Sequence, residues 1–448
     1  MRKKSAGILL VQPSFPIPNK STNHKDYFPI GILKIASHFV NIEHNANVKV
    51  VYGNVPKDNI INKIGYPKKI YITSLFTYWA DYCFKSFDYY TSIFPKAEFY
   101  FGGIYVSLME DEIRSQLLKR YPGISIEIRP KLNREAEEAN IQYGPQLNLL
   151  PNYKDIDYLI VHTMRGCHRT CKFCGTYKIE DEDFWSGDKF KAYITMVKQK
   201  YPQIKKLVFY DNNFLKNLHS RDILREIISL KKARLITSCE SQSGFDGRLL
   251  DFEMANLIKA AGFVSPKIAW DGAYGIKDKV KAQIDLLVKV GYECKEISVF
   301  MIYNWDIRFD EMIKKVKACY DWKVQVTDCR NRPLYRDKLD GYKPHKVSGQ
   351  SKDEYYIHNT WKDWQVRLFR KIVRKGNIMA RMNWDSTQYN QWLFNKKINK
   401  TGSGSSSRFI DDEIQEYGAF YEGNGTSKIS NQCIGREEVG ELIRVKAC

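Results

Sequence analysis

The 448-residue sequence contains no hydrophobic run long enough to cross a bilayer, which argues against a membrane-spanning protein. It is short of acidic residues: 51 Asp and Glu face 71 Lys and Arg, a formal net charge of +20. Such an excess suits a nucleic-acid face, an acidic substrate or merely a basic proteome, and by itself selects none of them. A disulfide framework is also missing. Of ten cysteines, three crowd into eight residues and the others are scattered singly, unlike the spread found in small secreted domains. Cys83, Cys239, Cys294, Cys319 and Cys329 lie in or beside apolar or mixed segments and read as buried thiols that behave as small hydrophobes. Cys433 and Cys448 fall in a polar tail without an assigned role. The start, Met-Arg-Lys-Lys-Ser, is basic like a signal peptide, but the apolar stretch 7–11 is too short for a signal core and Gln12-Pro13 ends it. Cytoplasmic is therefore the expected location. There is no long internal repeat and no match to an RRM, KH or zinc-finger signature.

What is present is the composition of a globular protein, 43% hydrophobic and 14% aromatic, long enough for two domains and a tail. The first 130 residues alternate strand and helix. Apolar runs predict strands at 7–12, 48–52, 70–75, 98–101 and 124–128, with helices over 28–40 and 79–92. This alternation predicts an α/β fold with a doubly wound, Rossmann-like parallel sheet in residues 1–130. Gly102-Gly103 at the end of the fourth strand would let a ligand approach the sheet's C-terminal edge, or simply make a tight turn. Residues 131–157 are polar, carry Pro145 and Pro151, and read as a linker. A second series follows, with strands expected at 158–162, 206–210, 235–238, 267–270, 297–302 and 324–327, and helices such as 190–200, 250–261 and 276–290 between them. Six such units predict a partial (βα)6 barrel over 158–335, whose chemistry would sit at the C-terminal ends of its strands. Residues 336–448 read as a mixed, irregular and basic C-terminal segment. It has a helix at 361–375 and a low-complexity stretch, Thr-Gly-Ser-Gly-Ser-Ser-Ser, at 401–407.

The chemistry concentrates in Cys167-His-Arg-Thr-Cys171-Lys-Phe-Cys174, directly after the first strand of the second series. Cys-x3-Cys-x2-Cys lets one short loop supply three thiolates to three corners of a 4Fe–4S cube, leaving the fourth iron open. A zinc knuckle is the alternative. Zinc prefers four ligands, usually two Cys-x2-Cys pairs; no second pair exists here, and only His162 or His168 is near enough to complete a set.

With Phe173 directly before the third cysteine, the motif resembles the signature of the radical S-adenosylmethionine (SAM) superfamily. The resemblance implies a cluster whose open iron chelates the amino and carboxylate groups of SAM. It also implies an external electron donor and a 5′-deoxyadenosyl radical that takes hydrogen from an unidentified substrate, for methylation or another C–H functionalisation. The likeness reaches further. Phe28-Pro-Ile-Gly-Ile-Leu-Lys-Ile-Ala-Ser-His-Phe39, Ile72-Thr-Ser-Leu75 and Phe101-Gly-Gly103 resemble the N-terminal cobalamin-binding-like domain of class B members. Leu149-Leu-Pro-Asn-Tyr153 and Met164-Arg-Gly-Cys167 resemble their interdomain junction. No Asp-x-His-x-x-Gly occurs, so a histidine-ligated cobalamin has no motif behind it, and relatives with and without cobalamin are both implied. Asp211-Asn212-Asn213-Phe214 resembles an acidic class B segment. This makes Asp211 or Asn212 the expected acceptor for the SAM ammonium and Glu240 the expected ribose contact. Asp271 and Asn304 are expected in the site wall, Phe173 against adenine, and Asp328 and Arg330 toward substrate. The alternative is a helix cap or turn former, positions that Asp and Asn favour in any case.

Between Trp361 and Lys400 ten Lys and Arg face two Asp, with Trp361, Trp364, Trp384, Tyr389 and Trp392 interleaved. Cations for phosphates and rings for bases fit single-stranded nucleic acid; a basic amphipathic helix over a tryptophan core has the same composition. A non-catalytic nucleic-acid-binding protein with a structural metal is therefore the competing reading.

Overall fold

The computed structural model describes residues 6–17, 28–344, 346, 348–384 and 388. The chain divides into two compact units, residues 1–264 with 332–341, and residues 265–331 with 342–448.

The first unit opens with a five-stranded parallel sheet in the order β2-β1-β3-β4-β5. Its strands are β1 (Gly7–Gln12), β2 (Val48–Tyr52), β3 (Pro67–Ser74), β4 (Glu98–Gly103) and β5 (Ile126–Arg129). Every residue of β1 is buried, as expected of an unbroken apolar strand flanked on both edges and covered on both faces. The crossovers are α1 (Ile30–Ser37), α2 (Lys57–Ile64), α3 (Ala80–Ile93), and α4 (Ile104–Leu108) with α5 (Glu110–Arg120); α6 (Arg134–Tyr143) follows β5. In β3 the pleat separates two layers. Ile70 and Ile72 join Phe99, Phe101 and Phe87 of α3 in one core. Tyr71 points the other way, stacked on Tyr100 with ring centroids 4.4 Å apart and edge-on to Phe39. The expected parallel α/β architecture is present. The polar stretch expected as a linker carries α6, whose Asn133 cap accepts from the Ala136 amide and whose buried face is only Ala136, Ala139 and Asn140. That face is too small to register as apolar periodicity.

The same unit holds a three-stranded parallel sheet, β6 (Tyr158–Val161), β9 (Lys206–Phe209) and β10 (Ser238–Ser241), in the order β10-β9-β6. A short antiparallel pair, β7 (Met164–Arg165) with β8 (Asp183–Phe184), follows β6. Its helices are α7 (Thr176–Ile179), α8 (Gly187–Lys200), α9 (Ser220–Lys232) and α10 (Phe252–Ala260). The third strand of this series starts where the sequence predicted its end. Leu235 donates its amide to Leu230 and closes α9, with Arg234 at φ +58°, so the apolar run 235–236 terminates a helix.

The second unit carries the other three strands, β11 (Lys267–Ala269), β12 (Ser298–Tyr303) and β13 (Gln325–Arg330), parallel and in sequence order. With them come α11 (Lys277–Lys289), α12 (Phe309–Asp321) and the longer α13 (Asp363–Met382). The six strands of the second series thus form two three-stranded parallel sheets, one in each unit. Cys83, Cys239 and Cys319 are buried as expected, and burial raises each thiol above its usual range. Cys294 is half-buried and Cys329 exposed, which corrects their reading as core thiols. Residues 401–407, Cys433 and Cys448 lie outside the described residues.

Candidate active site: the cysteine loop

The loop begins at the C-terminal end of β6. After Thr163 the chain forms β7, and Gly166 turns it at φ +68°, where an added Cβ would stand 2.5 Å from the Asp181 backbone. Only glycine fits that approach. The antiparallel pairs Met164–Phe184 and Arg165–Asp183 close the far end, so residues 166–182 form the mouth of a short hairpin. Cys167, Cys171 and Cys174 sit in this mouth, all half-buried, with the Cys174 amide donating to Cys171 O at 2.9 Å. Cys174 Sγ lies 3.3 Å from Thr176 Oγ1, the first residue of α7.

The segment after β9 faces this loop. Asp211 is 1% exposed and accepts from the Thr163 amide at 2.5 Å, the Thr163 hydroxyl at 2.6 Å and the Met164 amide at 2.9 Å. Burial pushes its carboxyl up to about 6, against those donors and the Arg165 charge. Asn212 donates to Thr176 Oγ1 at 3.3 Å, and its own carboxamide oxygen is buried without a hydrogen-bond partner. Asn213 donates to Asp246 Oδ2 at 3.3 Å. Asp246 also receives Arg169 Nε at 2.8 Å and Arg248 Nε at 2.7 Å. Although burial opposes it, Arg248 and then Arg169 hold this carboxyl below the usual range.

A charge network lies at the loop's other flank. Arg165 donates to Glu137 at 2.5 Å and to Glu180 at 3.1 Å, and Lys34 of α1 donates to both oxygens of Glu137 at 2.7 and 2.8 Å. Burial, then the Arg165 charge, pulls Lys34 down to about 8 despite Glu137, so it stays protonated at neutral pH. His162, 3.4 Å from the Lys34 amine, is held well below the usual imidazole range by burial and by the Arg165 and Lys34 charges. This network floors a cavity of about 200 Å³, whose walls include Tyr71, Tyr100, Gly102, Gly103 and Arg129.

Among the described residues no three His, Cys, Asp or Glu side chains already converge as a metal cage. The donor set nonetheless fits an iron–sulfur cluster: three partly accessible thiols on one loop whose entry is fixed by Gly166 and Asp211. Neither candidate fourth zinc ligand joins them. His162 faces Lys34, and His168 lies 3.7 Å from Glu182.

The other expected residues fall as follows. Phe173 is half-buried in the loop. Glu240 lies inside β10 rather than after it, 5% exposed, and accepts from Gln242 at 2.8 Å. In the second unit Asp271 is half-buried after β11. Asn304 is fully buried and uses its carboxamide on the backbone of Tyr356 and His358, at 2.9 and 2.8 Å. Asp328 and Arg330 lie within β13, and Arg330 stacks over Tyr342 at 4.5 Å. Trp361 is a core residue, 2% exposed, its indole N–H donating to Trp305 and Ile307 carbonyls at 2.9 Å. It presents no face to a base, which corrects its place in the nucleic-acid reading. Tyr389, Trp392, Lys396, Lys397 and Lys400 lie outside the described residues. Sequence reasoning missed Lys34, Glu137, Arg169, Thr176 and Asp246. Ordinary polar residues far apart in sequence leave no pattern that marks a shared site.

No protein-family profile matches the sequence, and no curated protein matches it. By architecture the chain is similar to radical SAM enzymes, as the cysteine motif implied. In particular, it is similar to the radical SAM methyltransferase TsrM from Kitasatospora setae. With tryptophan substrate and a SAM analogue bound, that structure superposes with a TM-score of 0.51 at 14% identity, covering 75% of each chain. With cobalamin and a 4Fe–4S cluster bound, it gives 0.50 at 14% identity, over 75% of this chain and 77% of that one. At this identity the likeness is one of fold.

Proposed function

We propose that this protein is a radical SAM enzyme in which Cys167, Cys171 and Cys174 hold a 4Fe–4S cluster with one iron left open for SAM. The observation that carries this reading is the three-thiol loop at the C-terminal end of β6, in a fold shared with a radical SAM methyltransferase. Bound and reduced by an external donor, the cluster would cleave the S–C5′ bond of SAM and yield a 5′-deoxyadenosyl radical. The chain's own part is to hold the three thiolates, orient SAM and limit water. Asp211 is committed to the backbone at 163–164, which shifts the role of SAM acceptor toward Asn212, whose buried carboxamide oxygen lacks a hydrogen-bond donor. Glu240 and Phe173, in the same unit as the cysteine loop, complete the set proposed for cofactor binding. Methylation or another C–H functionalisation of an unidentified substrate is the proposed outcome. Cobalamin is kept as an alternative occupant of the cavity beside Gly102-Gly103: the cobalamin in TsrM supports it, and the missing histidine motif opposes it. A cytoplasmic setting, where thiols stay reduced, suits such a site.

The test is anaerobic reconstitution with iron and sulfide, reduction, addition of SAM and mass-spectrometric measurement of 5′-deoxyadenosine. The wild-type chain should form it and the Cys171→Ala chain should form none. Substantial cleavage by Cys171→Ala would overturn the assignment. Bound zinc without a brown chromophore would favour the structural-metal reading.

A further inference from the structure

Three consecutive residues after β9 reach three different points of the cysteine loop. Asp211 holds the strand that leads in, through Thr163 and Met164. Asn213 reaches the middle, since it and Arg169 meet on the same oxygen of Asp246, at 3.3 and 2.8 Å. Asn212 reaches the exit, through Thr176 to Cys174 at 3.3 Å per step. Only the Asn212 contact leads on to a cysteine sulfur, and it does so through the Thr176 hydroxyl.

Resting on the cluster assignment above, we infer that Asp211-Asn212-Asn213 is a three-point clamp that presets the cysteine loop, with Asp246 and Thr176 as its intermediaries. These are positioning residues. An unclamped eight-residue loop must lose backbone freedom when its thiolates gather on iron; a loop fixed at entry, middle and exit has lost most of it already. The Arg169–Asp246 bond is the strongest arm. It is charge-assisted, and Asp246 is 6% exposed in its side chain, where screening by water is weak. The Thr176 arm has a second effect. A cysteine that ligates iron is a thiolate, so the Thr176 hydroxyl becomes the donor to sulfur while its oxygen accepts from the Asn212 carboxamide N–H. Hydrogen bonds to cluster sulfurs raise the reduction potential.

The experiment compares wild type with Arg169→Ala, Asp246→Ala, their double variant, Thr176→Val and Thr176→Ser. Two readouts are taken: the rate of iron loss to an excess chelator from the reconstituted protein, and the rate of alkylation of Cys167, Cys171 and Cys174 by iodoacetamide in the cluster-free protein. Each Ala variant should lose iron faster by roughly tenfold, the usual cost of removing an outer partner of a metal ligand. Its three thiols should also be alkylated faster. The double variant should match Asp246→Ala, because the bond lost in Arg169→Ala is one of those that Asp246→Ala already removes. Thr176→Val should shift the cluster's potential to more negative values and Thr176→Ser should restore it. Single variants indistinguishable from wild type in both rates would overturn the clamp, as would a double variant whose fold-changes multiply. A potential unchanged in Thr176→Val would remove the exit arm. If the wild type takes up no cluster, the enzyme assignment fails, and the alkylation rates of the cluster-free chains still decide the clamp.

Discussion

At Asp211 burial and hydrogen bonding pull in opposite directions, and burial prevails, lifting the carboxyl to about 6. A carboxyl that binds its proton more tightly in the folded chain than in the unfolded one adds stability below about pH 4. That contribution is lost as the pH rises through 6. At neutral pH the charged form is retained at a cost of about 3 kcal/mol against the protonated form, while its acceptors tie down Thr163 and Met164. Asp211→Asn is neutral at every pH. Relative to wild type, its unfolding free energy should therefore rise by up to about 3 kcal/mol between pH 4 and pH 7.5, measured by urea denaturation at each pH. A flat difference would mean that the three donors fully offset burial. The same variant should weaken the loop's entry, because one carboxamide oxygen replaces two carboxylate oxygens. Asp211 therefore places stability and site geometry in opposition, as functional residues often do.

At the scale of elements the core beneath the first sheet is aromatic. Phe87 of α3 is fully buried, with ring centroids 4.9 Å from Phe101 and 6.0 Å from Phe99. Phe87→Ala should cost about 3–5 kcal/mol in unfolding free energy, checked by denaturant titration. A loss below about 1 kcal/mol would mean that the cavity collapses. Strands such as β1 and β2 were legible because an unbroken apolar run has few other uses. β10 was displaced because Leu235 and Ile236 make an equally apolar run, which ends α9 instead. α6 was unreadable because it buries alanines, and α5 because it buries only Ile113 and Leu117. The cysteine spacing was legible because local ligands must be close in sequence. Its supports were not: Asp246 lies 77 residues from Arg169, and Lys34 lies 103 from Glu137. Such pairs exist only once the chain has folded.

For the whole molecule the charge of +20 is the dominant surface fact. On α13, Lys371, Arg374 and Arg381 are exposed at helical spacing, whereas Arg367 is buried beside Asp363. With Trp361 in the core, these exposed charges are the feature of α13 that would attract a polyanion. The protein should bind a heparin column at pH 7 in low salt and elute as salt rises. Replacing Lys371, Arg374 and Arg381 with Glu should lower the salt needed for elution. An unchanged elution point would place the relevant charge elsewhere. Among the described residues no helix is long and apolar enough to cross a membrane.

The Lys34–Glu137–Arg165 network bears on how this chain can be dissected. A recombinant fragment begun near residue 158 would look reasonable from the strand pattern, yet it would keep Arg165 and Glu180 and discard Lys34 and Glu137. The guanidinium, 15% exposed in its side chain, would lose a carboxylate it binds within the fold, a loss that costs several kcal/mol when a buried ion pair is broken. Helices α1 and α6 and the cysteine loop therefore have to be kept or cut together: truncation between them separates a carboxylate from the guanidinium it pairs with.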